Sequence, residues 1–216
     1  MSRRSTLQAI VARAVDVGEA DRFCILFSRE RGKIAVRAPG ARKMTSRMGG
    51  SLLPLRRVEV DISEGRGGLL VTGARLLSDA SLTLPSLAAF SRMEQGMEML
   101  LALTEDDHPL QDVYDLTVEF LDLCCADSEE ALPAYQLTLL HLLGLLPAQD
   151  EEPRFARLSD AAQAFVRSAA TALRLLDTAS MFCPVEEIAR FRTSLLADHT
   201  SRPFKSEQIA PTLEGI

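Results

Sequence analysis

The 216-residue chain has no tryptophan, two tyrosines, three histidines and four cysteines, and each scarcity excludes a class of chemistry. His108, His141 and His199 stand far apart, without the spacing of a zinc-ligand pair or an adjacent nucleophile. His141, inside an apolar stretch, reads as a core or interface histidine. Cys24, Cys124, Cys125 and Cys183 show no two-residue pair spacing, and neighbouring cysteines seldom bond to each other, so buried free thiols are expected. No apolar run reaches the ~18 to 20 residues of a membrane span. The opening MSRRSTLQAIVARAVD lacks the apolar core and cleavage site of a secretory signal, so a cytoplasmic protein without membrane contact is expected. Gly65, Gly67 and Gly68 sit between strands with no helix after them, which fits a hairpin and not a phosphate-binding fingerprint. The acidic runs 105–107 and 127–130 read as solvated loop tips. No catalytic constellation emerges, and a non-enzymatic protein with no metal and no cofactor is expected.

What is present is the profile of a globular chain, with 47% apolar and 25% charged residues and a net charge of -6. The charge is unevenly spread. Residues 1–80 hold 15 Lys+Arg against 8 Asp+Glu, whereas residues 81–216 hold 9 against 22. The two halves should meet different partners.

Hydropathy changes period at the same place. In residues 1–80 apolar positions alternate and turn residues recur every eight to twelve positions, which predicts strands over 7–15, 22–28, 33–40, 55–62 and 69–77. In the second of these Phe23, Ile25 and Phe27 share one face and Cys24 and Leu26 the other, so the strand is expected to be covered on both sides. After residue 80 the period becomes helical, predicting helices over 86–103, 113–125, 131–146, 160–176 and 185–199. The first carries the stripe Leu87, Phe90, Met93, Met97, Leu100, Leu101, and the third is apolar nearly all round, as expected at the centre of a bundle. The fold class is therefore α+β: a five-stranded OB-type β-barrel over 1–80, then an all-α helical bundle over 81–216.

The basic residues of the first half are the strongest functional signal. Arg29, Arg31, Lys33, Arg37, Arg42, Lys43, Arg47, Arg56 and Arg57 fall on turns, on outward strand positions and on the loop GARKMTSRMGG (40–50). A nucleic-acid backbone requires such an array, because each neutralised phosphate releases condensed counterion. Gly40, Gly49 and Gly50 would let the loop backbone approach phosphates and offer amide donors. Among residues 1–80 the only aromatic side chains are Phe23 and Phe27, both expected in the core, whereas binders that grip by base stacking line their groove with several. DNA binding through the phosphate backbone is expected, weakly dependent on sequence and strandedness. The alternative is a solvated basic loop on a protein-interaction adaptor whose barrel binds no DNA.

The motifs of this half are also those of a known family. The turn Gly18-Glu19-Ala20-Asp21, the turn Glu30-Arg31-Gly32-Lys33 and the loop Gly40-Ala41-Arg42-Lys43 with Ser46-Arg47 occur here in the family's order and spacing. Residues 7 to about 77 closely resemble the amino-terminal region of the bacterial recombination mediator family RecO. YQLTLLHLLGLLP (135–147) and HTSRPFKS (199–206) resemble its later parts more loosely. The resemblance implies an OB-fold DNA-binding domain followed by a helical domain for protein contacts. It further implies binding of single- and double-stranded DNA, annealing of complementary strands, association with RecR, contact with the carboxy-terminal tail of single-strand binding protein, and help in loading RecA, with nucleoid association in the cytoplasm. Many relatives carry a four-cysteine zinc module after the central helix; residues 146–162 here contain no cysteine, so no zinc is expected. An acidic bundle is a poor DNA surface, and the acidic, apolar-ended tail of single-strand binding protein should seek a hydrophobic pocket with a few cations. Arg167, Arg174, Arg190, Arg192, Arg202 and Lys205 are the expected source of those cations.

Overall fold

A computed structural model describes residues 3–65, 67–148, 152–172 and 174–197. The chain divides into two compact units, Met1–Thr83 with Leu101–Asp115, and Leu84–Leu100 with Leu116–Ile216.

In the first unit five strands, β1 (Arg3–Val17), β2 (Asp21–Ser28), β3 (Gly32–Ala38), β4 (Arg56–Gly65) and β5 (Gly68–Asp79), close into a barrel of order β1-β2-β3-β5-β4. All neighbours are antiparallel except β3 and β5. β1 is long enough to serve both edges: residues 3–10 pair with β4 and residues 9–17 with β2. The β3–β5 seam that closes the ring is short, pairing Val36 with Leu69 and Arg37 with Leu70. Alternation fills the interior with Leu7, Ala9, Val11, Cys24, Leu26, Ile34, Val36, Val58, Val60 and Ile62. Burial pushes the Cys24 thiol up to about 11, so it packs as a small hydrophobe.

The outward face of this sheet is covered at one end only. Ile10 and Phe27 are fully buried, but Val15, Val17 and Phe23 lie open, with Phe23 40% exposed. Near Phe27 the segment 101–115 meets β3: the Asp107 amide donates to the Lys33 carbonyl oxygen at 2.8 Å, and Lys33 faces Phe27 across the β2–β3 ladder. Phe23, expected in the core, is therefore a surface side chain, because the covering segment reaches only one of two equivalent positions.

The second unit contains most of α1 (Leu87–Leu103) and α2 (Gln111–Cys125), then α3 (Ala131–Leu142), α4 (Asp160–Thr171), α5 (Leu175–Ala179) and α6 (Val185–Leu196). α3 is buried along nearly its whole length, and Pro133 sits in its first turn, where the missing amide costs no hydrogen bond. The Tyr135 ring stacks on Phe120 at 4.2 Å, and its hydroxyl is satisfied by Thr117 Oγ1 at 3.0 Å. His141 lies exposed in the last turn of α3, not in the core. The buried face of α1 is Ala89, Met93, Gly96, Met97, Met99 and Leu100, while Leu87 and Phe90 of the expected stripe are exposed. Small residues explain the rotation: at Gly96 a Cβ would stand 2.4 Å from the Phe120 ring, so close approach there outweighs the apolar count.

Two substitutions test these contacts. Gly96→Ala ordinarily raises helix propensity by up to about 1 kcal/mol. Here overpacking against Phe120 should dominate and cost about 1–3 kcal/mol, read by chemical denaturation. Gly32 adopts φ +68°, and a Cβ there would fall 1.9 Å from the His108 carbonyl oxygen. Gly32→Ala should cost more than the about 1–2 kcal/mol of the left-handed conformation alone. Hydrogen exchange should show the loss concentrated in residues 101–115.

Candidate nucleic-acid interface

The nine cations expected to bind DNA separate into three places on the first unit. Arg29, Arg31 and Lys33 lie at the β2–β3 turn, and all three are engaged by carboxylates of residues 101–115. Arg29 donates twice to Asp115, at 3.1 and 2.9 Å, and Arg31 twice to Asp107, at 2.6 Å each. Lys33 Nζ reaches Asp106 at 3.2 Å and donates to the carbonyl oxygens of Leu101 and Thr104 at the end of α1, at 3.0 and 2.5 Å. A cation on those final carbonyls also complements the helix dipole. The acidic run 105–107 is thus a partner of the barrel as well as a loop. The hydrogen bonds from Arg31 hold the Asp107 carboxyl below its ordinary range.

Arg56 and Arg57 open β4. Arg56 forms an ion pair with the Asp79 carboxylate, Nη2 to Oδ2 at 2.6 Å, with side chains only 15% and 3% exposed. Arg57 is half-buried, near Tyr114. Neither is an open phosphate contact.

The third group surrounds the loop 39–55, which is tied down at several points. Asp21 at the start of β2 accepts the Gly40 amide at 2.8 Å and Arg37 Nε and Nη2 at 2.9 and 2.5 Å. The Gly40 amide, then Arg37, hold that carboxyl below its usual range. The Gly40 amide is therefore occupied and does not serve as an anion donor. Arg42 returns to the β1–β2 turn through Asp16 at 3.1 Å and the Gly18 carbonyl oxygen at 2.9 Å. Arg22 donates through Nη1 to the carbonyl oxygens of Gly49 and Leu52 and pairs with Asp16. Lys43 and Arg47 are exposed, and neither forms an ion pair with any described residue. Met44 between them is fully exposed.

Residues that sequence reasoning missed complete this end. Arg13 is exposed and faces Ile25, because β1 carries a bulge between Val11 and Arg13 that turns it outward. Phe23 lies between Val15 on β1 and Arg37 on β3. In five-stranded barrels of this topology the face of strands 2 and 3, with the loop joining strands 1 and 2, is where oligonucleotides and oligosaccharides bind. Arg37 lies on that face, Arg42 is tied to the β1–β2 turn, and Lys43 and Arg47 stand on the same loop as Arg42; Arg29, Arg31, Lys33, Arg56 and Arg57 do not join them as open cations.

Of the six cations expected to serve protein contacts, the four that lie among the described residues do not converge. Arg167 lies 5.2 Å over the Phe155 ring, Arg174 pairs with Glu119 at 3.4 Å, and Arg190 is exposed on α6. Arg202 and Lys205 lie outside the described residues, as does the whole HTSRPFKS motif (199–206). Of those four, Arg192 lines a cleft of about 460 Å3 between α1, the start of α3 and α6, where it donates to Gln136. Arg92, which sequence reasoning passed over, joins it, held by Asp127 at 2.6 Å. Leu87, Leu132, Val185 and Ile188 supply the apolar lining. Among the described residues no cluster of three or more His, Cys, Asp or Glu could hold a metal, and no helix is long and apolar enough to cross a membrane.

Residues 1–78 match the family model for the recombination protein O N terminal. The chain is 33% identical over 162 residues to DNA repair protein RecO of Myxococcus xanthus, covering 68% of this chain and 66% of that protein. It is 31% identical over 151 residues to the protein of the same name from Anaeromyxobacter dehalogenans, covering 68% and 59%. For that of Pelotomaculum thermopropionicum the figures are 32% over 140 residues, covering 64% and 55%. The chain thus spans somewhat under two thirds of the length of these relatives. With the barrel order, the barrel motifs and these likenesses in agreement, the chain belongs to the RecO family.

Proposed function

We propose that the protein acts in DNA repair and recombination as a non-catalytic, cytoplasmic mediator. Its barrel binds single- and double-stranded DNA by the phosphate backbone at the loop end. One observation carries this reading: Lys43 and Arg47 stand exposed, without an ion pair among the described residues, on the loop that Asp21 and Arg42 tie to the β1–β2 turn, next to the β2–β3 face where such barrels take oligonucleotides. Neutralising two backbones at once would let the protein hold complementary strands together and anneal them. The names borne by its relatives support the DNA repair setting. By the same family reasoning RecR is a partner and RecA loading the outcome, on DNA coated by single-strand binding protein. The cleft lined by Arg92, Arg192 and Leu87 has the chemistry that the acidic, apolar-ended tail of that protein requires.

A specific observation favours a second reading, an adaptor whose barrel binds no DNA. Arg29, Arg31, Lys33, Arg37, Arg42 and Arg56 already pair with carboxylates of the chain itself.

Salt-titrated binding to oligonucleotides separates the two. In the mediator, Lys43→Ala with Arg47→Ala weakens binding to every sequence, and the slope of log affinity against log salt becomes shallower by about 1.4 for single strands. In the adaptor the double variant changes nothing. For the cleft, Leu87→Glu should abolish binding of an acidic, apolar-ended peptide, followed by fluorescence anisotropy, and leave DNA affinity as it was.

A further inference from the structure

The exposed aromatic at the loop end does something that backbone neutralisation does not require. Phe23 is 40% exposed on the outward face of β2, and the other outward aromatic of the same strand, Phe27, is fully buried. Its cross-strand neighbours are Val15, 53% exposed, and Arg37, whose side chain is 59% exposed. Ala35, the next outward position on β3, is exposed and too short to overhang the ring. Arg37 is held beside the ring by Asp21, two positions before Phe23 on the same face. The result is an open apolar surface of Phe23 and Val15, flanked across the β2–β3 ladder by Arg37, whose guanidinium Asp21 holds, on the barrel from which the loop carrying Lys43 and Arg47 departs.

An isolated exposed phenylalanine costs solvation and would ordinarily need no explanation. Here its surroundings select an occupant. An apolar protein segment would leave the cations on this side unmatched, and a duplex presents phosphates while keeping its base faces stacked inside. An unpaired nucleotide offers both parts at once, a π-face for the ring and a phosphate for the cation. Base stacking on an aromatic side chain is also tolerant of sequence, because every base has such a face.

We propose that Phe23 stacks one unpaired base of single-stranded DNA, with Arg37 beside it on the backbone, so that the barrel discriminates single strands from duplex. The inference rests on the DNA-binding reading above and deepens it by giving single strands a contact that duplex lacks. Stacking at one platform gives a preference, while the cations alone still hold both forms.

The test uses the full chain with a single-stranded oligonucleotide, the duplex of the same sequence, and a single strand in which a run of nucleotides is abasic. Phe23→Ala and Phe23→Leu should each weaken single-strand binding about 5- to 150-fold, the range for losing one stacked base. Duplex affinity and the salt slope should stay unchanged, and Phe23→Trp should retain or raise single-strand affinity. The abasic strand should bind the wild type as weakly as the normal strand binds Phe23→Ala. Leucine matters because it keeps the apolar bulk and removes the π-face. The inference is overturned if leucine serves as well as phenylalanine, if duplex binding falls equally, or if Phe23→Ala binds single strands normally. In those cases the DNA-binding reading survives; wild-type protein that binds no DNA would overturn both.

Discussion

Asp21 stands at the start of β2, and its two carboxylate oxygens hold different things: one takes the Gly40 amide, the other the Arg37 guanidinium. The loop that follows β3 runs from residue 39 to 55, long enough that, untethered, its cations would sample many arrangements. Asp21 fixes where it leaves the barrel, Arg42 ties it to the Gly18 carbonyl oxygen, and Arg22 holds the returning backbone at Gly49 and Leu52. The sign of this dependence follows from the depressed carboxyl. Its contribution is present above the ordinary carboxylate range and is lost as the pH falls below that range through the lowered value of the folded protein, so at neutral pH the loop end is assembled. Every later property of the site, including the place of Arg37 beside Phe23, depends on this anchoring.

Ion pairing does not remove all the cations from play equally. Exposed pairs contribute on the order of 0–1 kcal/mol, so a phosphate that offers Arg37 or Arg42 comparable hydrogen bonds faces a small barrier to exchange. Arg56 with Asp79 is different, because the carboxylate is almost entirely buried and losing its partner would strand a charge out of water. Arg31 and Lys33 are also largely covered, and Lys33 satisfies α1 carbonyls besides. Pairing therefore sorts the six paired cations by what each would lose on leaving its carboxylate: Arg56 loses most, Arg31 and Lys33 less, and the exposed Arg29, Arg37 and Arg42 least.

The barrel and the helices were legible because burial writes itself into period: Ile34 and Val36 alternate with Ala35 and Arg37, and α3 is apolar on all sides. What stayed hidden depends on something period does not carry. Phe23 and Phe27 occupy equivalent outward positions and differ only because a segment some eighty residues later meets β3 near one of them. Arg13 shares the parity of Leu7, Ala9 and Val11, and strict alternation would send it inward; the bulge before it reverses the register and brings Ala14 in instead. On α1, hydrophobicity favours Leu87 and Phe90, yet the packed face passes through Ala89 and Gly96, since helices approach closest where side chains are smallest. Bulges, close approaches and long-range covers are each local in space and diffuse in sequence.

The same reasoning changes the meaning of the charge asymmetry. Counted along the chain, residues 1–80 are strongly basic, but the first unit also contains Leu101–Asp115. That segment adds Glu105, Asp106, Asp107, Asp112 and Asp115 and no Lys or Arg, which leaves the unit with 15 Lys+Arg against 13 Asp+Glu. Three of those acids are set directly on Arg29, Arg31 and Lys33. The barrel is therefore nearly neutral as a whole and polarised by placement, with its positive potential left at the loop end where Arg13, Arg37, Arg42, Lys43 and Arg47 outnumber Asp16, Glu19 and Asp21. A uniformly basic barrel would attract a polyanion to any face, whereas a neutralised β2–β3 turn and an open loop end give the approach a direction. Under the proposed DNA-binding function that direction would lead a phosphate backbone to the side of the barrel where Phe23 is uncovered, so the acidic segment would shape the site as much as the cations it conceals.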